Sequence, residues 1–167
     1  MTEAEKRVLQ KQRQELSLKN TLFNRYLLLR YTLALFFFGN LYWLLIQLTR
    51  RSGLMLIPIL LLVLIVQACA EQFKLYGKKE VALRRTKRAV KGQILIQALT
   101  MLSTLTPWFT RVYPIFADSI EARLFILSLL AIGFGLLYLN LRRIQQINQN
   151  TDKAYLRFRQ MEKSVIG

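Results

Sequence analysis

Two ionisable side chains, Arg30 and Glu71, fall inside long apolar runs of the chain. A charge in such a setting is costly and persists where it is paired, or where it moves a proton or an ion. Glu71 lies about one helical turn from the end of its run, and Arg30 about one turn inside the matching end of another. Their similar depth predicts a structural pair, with Arg25 and Lys74 as other cations available to Glu71. A proton- or ion-coupling carboxylate is the sharper alternative. The shallow position and the lack of a second acid at depth weigh against it.

A second set of polar residues, Gln97, Thr100 and Thr104, is spaced by three and four and so shares one helical face. Lipid offers no hydrogen-bond partner, so this face must point into a bundle. It acts there as glue between helices or lines a polar cavity or conduction path. Asn40, Gln47 and Gln67 in the first two runs are its candidate partners. Ser128, Ala131 and Gly135, with Gly133 beside them, form a small-residue seam that lets another backbone approach closely.

The inventory is poor in catalytic parts. The chain has no His, which removes the commonest general base and metal ligand, and only nine Asp and Glu. No metal-ligand cluster, Gly-rich phosphate loop or nucleophile motif occurs. Asp118 and Glu121 can share a helix face, but Arg111 and Arg123 flank them as ion-pair partners. Cys69 is the only cysteine, so no disulfide forms within the chain; it reads as a small packing residue. Neither cofactor, metal nor catalysis is expected.

The elements that hold these residues follow from hydropathy. In 167 residues, 53% of them hydrophobic, four apolar runs stand out: 26–48, 54–73, 93–109 and 124–141. Each is expected to cross a hydrocarbon core about 30 Å thick, since a helix rises about 1.5 Å per residue. The third is the least apolar and carries Pro107 near its end. Residues 1–20 are mostly polar, so the first run is read as a retained span and not a signal peptide.

Charge sets the threading. Of the 25 Lys and Arg, seven lie in residues 1–30, eight in 74–91 and six after Leu141, leaving only Arg50, Arg51, Arg111 and Arg123 for the other side. The positive-inside rule puts both termini and the middle loop in the cytoplasm, and an even number of spans is consistent with both ends on one side. The expectation is an all-α polytopic membrane protein with four transmembrane helices in two hairpins and helical cytoplasmic extensions at both ends, a multi-pass protein of a bacterial cell membrane. Tyr42, Trp43, Trp108 and Tyr113 suit the outer interface.

Outside the spans, residues 1–25 form an amphipathic helix opened by a Thr2–Glu5 capping box. In the 74–92 loop, Lys74, Lys78, Lys79, Arg84, Arg85, Lys87, Arg88 and Lys91 predict a short basic helix that enforces topology or contacts anionic headgroups or an acidic partner. Nucleic acid is not expected, because the cations are spread over tethered segments without interleaved aromatics. In the 142–167 tail, Ile144, Ile147, Thr151, Ala154, Phe158, Met161 and Val165 recur at three and four, a heptad seam on a helix running unbroken from Leu124 to Val165. That seam packs on the N-terminal helix of its own chain, on a second copy or on a partner helix.

These features favour a non-catalytic accessory or scaffold subunit of a larger membrane complex. The alternative is a homo-oligomeric channel, holin-like pore or small transporter lined by the polar face of the third run. The partners expected are membrane lipids with anionic headgroups, together with another membrane protein or further copies of the chain.

Overall fold

A computed structural model of the chain describes residues 3–49, 53–75 and 82–166. Thr2, Lys78 and Lys79, singled out above, lie outside the described residues, as does the side chain of Val165. The described residues form seven α-helices and no β-strand: α1 Glu3–Asn24, α2 Leu27–Leu48, α3 Leu56–Lys74, α4 Arg84–Ser103, α5 Phe109–Val112, α6 Ile120–Asn148 and α7 Lys153–Ile166.

Helices α2, α3, α4 and α6 close a four-membered ring in that order, and α1 packs on α7 at one end. That end also carries the cationic start of α4, and is called the basic end below. Its core joins Tyr26 and Leu29 of the α1–α2 region to Leu83, Val90, Leu137, Ile144 and Ile147. A second cluster, Leu33, Ile65, Ala68 and Ala89, locks α2, α3 and α4.

The ring is apolar on its outside. Tyr31, Leu35, Phe38, Leu60, Val63, Leu99, Leu124, Phe125 and Ile132 are all exposed, while Thr32, Asn40, Gln47, Gln72, Thr86, Gln97 and Asn140 are buried. Water does not favour so large an exposed apolar surface, whereas hydrocarbon does. Three helical stretches are long and apolar enough to cross a membrane: Leu27–Leu48, Gly53–Lys74 and the α6 arm within Ile120–Met161.

The third predicted run is not a single helix. Arg84, Arg85, Lys87, Arg88 and Lys91 occupy the first turns of α4 itself, so the expected separate basic helix and the start of the third run are one element. Only Gly92 to Ser103 of α4 is apolar, about 18 Å by helical rise and short of a bilayer core. Pro107 has no N–H to donate and biases Thr106 away from helix, so the chain turns at 104–108 and resumes as α5.

The tail helix is also interrupted. α6 ends at Asn148, the chain turns through Asn150 at a positive φ of 54°, and α7 begins at Lys153. Asn tolerates this left-handed conformation better than most residues. Asp152 accepts from the Tyr155 amide as the cap of α7. The run Asn-Gln-Asn-Thr-Asp at 148–152 is the sequence signal for this break, and the heptad spacing masked it. Consequently the seam divides: Ile144 and Ile147 enter the bundle core, while Phe158 is buried on α7, which packs against α1.

Candidate functional site

Glu71 does not meet Arg30. Its carboxylate turns toward the start of α4, where Oε1 accepts from the Arg85 amide at 2.9 Å and Oε2 from the Thr86 amide at 2.7 Å and the Thr86 hydroxyl at 2.9 Å. The first amides of a helix have no partner within it, and their partial positive charge suits an anion. Glu71 is thus the N-terminal cap of the next helix. The sequence-based pair failed because it counted cations and omitted free amides as rivals for a carboxylate.

Arg30 instead lies over aromatic rings, its guanidinium carbon 4.2 Å from the Phe23 centroid and 5.6 Å from that of Phe73. Its Nη2 is buried without an acceptor among the described residues. Gln72, one residue after Glu71, has neither an acceptor for its buried Nε2 nor a donor for its buried Oε1 among the described residues.

The ion pair at the basic end is one that sequence reasoning missed. Arg25, in the turn between α1 and α2, donates from Nη2 to Asp152 Oδ1 at 2.7 Å and from Nε to Oδ2 at 3.1 Å. It also donates to the Ile147 carbonyl at 3.2 Å and to Asn150 Oδ1 at 3.0 Å, and lies 5.0 Å from the Tyr155 ring centroid. Both charged side chains are fully buried. A guanidinium needs several acceptors in fixed directions, and the α6–α7 turn supplies them from side chains and a carbonyl together.

The polar face of the third run is assembled differently from the expectation. Gln97 bonds across to α6, its Nε2 donating to the Leu130 carbonyl at 2.6 Å. Thr100 and Thr104 are buried but donate back to carbonyls of their own helix, at Gln97 and Met101. Among the expected partners, Asn40 reaches Gln93 at 2.9 Å, one turn before Gln97, while Gln67 is exposed. Gln47 and Trp43 both donate to the Val112 carbonyl at 3.0 Å and so hold α5 against α2. A cavity of about 310 Å³ lies between α2, α4 and α6, with Asn40, Gln93, Gln97, Thr100 and Tyr113 in its otherwise apolar lining.

On α6 the inner face is Ile126, Leu130, Gly133, Leu137, Asn140, Ile144 and Ile147, a three-four pattern that extends the tail seam back through the apolar run. A methyl group at Gly133 would stand 2.5 Å from Gln97 Nε2, so this glycine makes room for the α4–α6 hydrogen bond. Ser128, Ala131 and Gly135 are exposed on the opposite face, and a methyl group at Gly135 would meet nothing within 4 Å. Gly133 and not the predicted seam is therefore the close-approach position within the chain.

The remaining candidates lie at the two ends. Lys74, Arg84, Arg85, Lys87, Arg88 and Lys91 are exposed at the basic end. At the other, Asp118 pairs with Arg123 at 2.7 Å, and Arg123 also donates to the Thr104 carbonyl. Asp118 and Glu121 make no joint acid site: Ser119 caps α6, and the Glu121 amide, with the Ser119 hydroxyl second, holds the Glu121 carboxyl below its ordinary range. Cys69 is half-buried. Among the described residues no group of three or more His, Cys, Asp or Glu side chains gathers as a metal site. No protein-family model, curated protein or solved structure matches this chain.

Proposed function

We propose that the chain is a small integral membrane protein of four spans, acting as a non-catalytic accessory or scaffold subunit of a larger membrane complex. The third span is then α4 with the 104–112 segment. Its support is the place of α4 in the ring, between α3 and α6, and the exposure of Leu95, Leu99 and Leu102 along its outer face. In this reading both termini and the 74–92 loop lie in the cytoplasm of a bacterial cell, on the side of the charge excess.

The observation that carries the subunit role is the outer face of α6. Its small residues Ser128, Ala131 and Gly135 point away from the bundle among Leu124, Leu129, Ile132 and Leu139, leaving a surface a second transmembrane helix can approach closely. Three of the acids are engaged in structure: Glu71 by amides, Asp118 by Arg123 and Asp152 by Arg25. Affinity purification from the native membrane in mild detergent, read by mass spectrometry and native mass, tests the role. A stoichiometric larger partner that is lost on Ala131→Trp is the expected result; a homo-oligomer alone overturns it.

One observation favours the pore as a second reading, namely the cavity beside Gln97 and Thr100. Flux into liposomes that falls on joint Gln97→Leu and Thr100→Leu substitution is its signature.

A further inference from the structure

A groove of about 370 Å³ runs between α2 and α3 on the side of the ring away from α4 and α6. Its chemistry is graded along its length. Arg30, Gln72 and Phe73 line the basic end; two helical turns further on, Phe37, Phe38, Ile65 and Val66 line a wholly apolar stretch. By helical rise the polar and apolar ends are about 10 to 12 Å apart.

The polar end is unsatisfied. Gln72 is 1% exposed, yet neither its amide nitrogen nor its oxygen has a partner among the described residues, and Arg30 Nη2 is in the same state. Buried polar groups of this kind are rare in native proteins, because each gives up its hydration with no bond in return. The nearest acid in sequence, Glu71, is committed to the start of α4. The chain thus presents a guanidinium backed only by the Phe23 and Phe73 rings, and an amide, both without a hydrogen-bond partner for these atoms among the described residues, at one end of an apolar slot.

We infer that this groove binds one phospholipid carrying a phosphodiester and a free headgroup hydroxyl, with an acyl chain in the apolar stretch. The phosphate answers Arg30 Nη2 and the Gln72 amide nitrogen, both donors. The Gln72 oxygen needs a donor, which the headgroup hydroxyl supplies and a choline headgroup lacks. The cluster Phe37, Phe38, Ile65 and Val66 excludes water around the chain. This rests on the membrane reading of the helices alone; the subunit role does not enter.

The test uses the purified full chain in mild detergent, titrated with phosphatidylglycerol or phosphatidylcholine of identical acyl chains. Lipid retention is read by native mass spectrometry, and groove occupancy by the rate of maleimide labelling at Cys69, the only cysteine and a groove-lining residue. One retained phosphatidylglycerol, preferred about fivefold or more over phosphatidylcholine, with slowed labelling of Cys69, is the expected result. Arg30→Gln and, separately, Gln72→Leu reduce that preference, whereas joint Lys87→Gln and Arg88→Gln leaves it. Equal retention of the two lipids, an effect confined to the Lys87 and Arg88 variant, or Cys69 protected only in a dimer without lipid overturns the proposal. The wild-type labelling measurement stands even if a variant fails to fold. Release of the chain from membranes by alkaline wash, without detergent, marks failure of the membrane reading instead.

Discussion

Arg25 and Asp152, 127 residues apart, meet in a buried ion pair that ties the α1–α2 turn to the α6–α7 turn. The two ends of the chain are thereby stapled at one end of the bundle, and α1 can lie along α7. Because Arg25 also holds Asn150 and the Ile147 carbonyl, the pair sets the turn as well as the contact.

Asp152→Ala leaves the buried Arg25 charge without its counter-ion and removes the cap of α7. The expected cost is about 3 to 5 kcal/mol, seen as a lower thermal midpoint in detergent and faster amide exchange across α7. The double substitution Arg25→Met with Asp152→Leu recovers most of it, since no lone charge is left. A single variant as stable as the wild type contradicts the clamp.

Glu71→Ala removes the acceptors of two amides and a hydroxyl at the start of α4, at about 2 kcal/mol. Glu71→Gln keeps one acceptor and costs about half as much. Amide exchange at Arg85 and Thr86 reports the lost cap directly. If Glu71 were an ion-coupling carboxylate instead, the Gln variant would keep its stability and protection at those two amides.

The two glycines of α6 separate cleanly. Gly133→Ala drives the Gln97 amide off the Leu130 carbonyl and costs about 1 kcal/mol. Gly135→Ala, on the open face, stays within about 0.5 kcal/mol of the wild type. Gln97→Ala in the Gly133→Ala background adds little further, because the bond is already broken. Denaturant titration of all four proteins checks the set.

Ser119→Ala removes the cap of α6 and one of the two groups that hold the Glu121 carboxyl low. Its titration, followed by carboxyl NMR, moves up toward the ordinary Glu value of about 4.3. The sign follows from linkage: a carboxyl lowered in the fold adds stability above its unfolded value and loses it as pH falls. The wild type therefore loses this contribution on acidification through that range, and the Ser119→Ala variant has less of it to lose.

Hydropathy and charge are properties of consecutive residues, so the sequence alone determined where the three long apolar helices lie. The same local reasoning misjudged 93–109 and 142–167, where Pro107 and the Asn-Gln-Asn-Thr-Asp turn compete with periodicity. Only the tertiary structure decided the partners. A carboxylate such as Glu71 can be answered by any cation or free amide, and only the packing of α3 on α4 brings the amides of Arg85 and Thr86 to it. Gly133 and Gly135 are two positions apart on a helix of 3.6 residues per turn, hence on nearly opposite faces. Composition could not say which one faces Gln97, because that depends on how α6 is rotated against a neighbour far away in sequence.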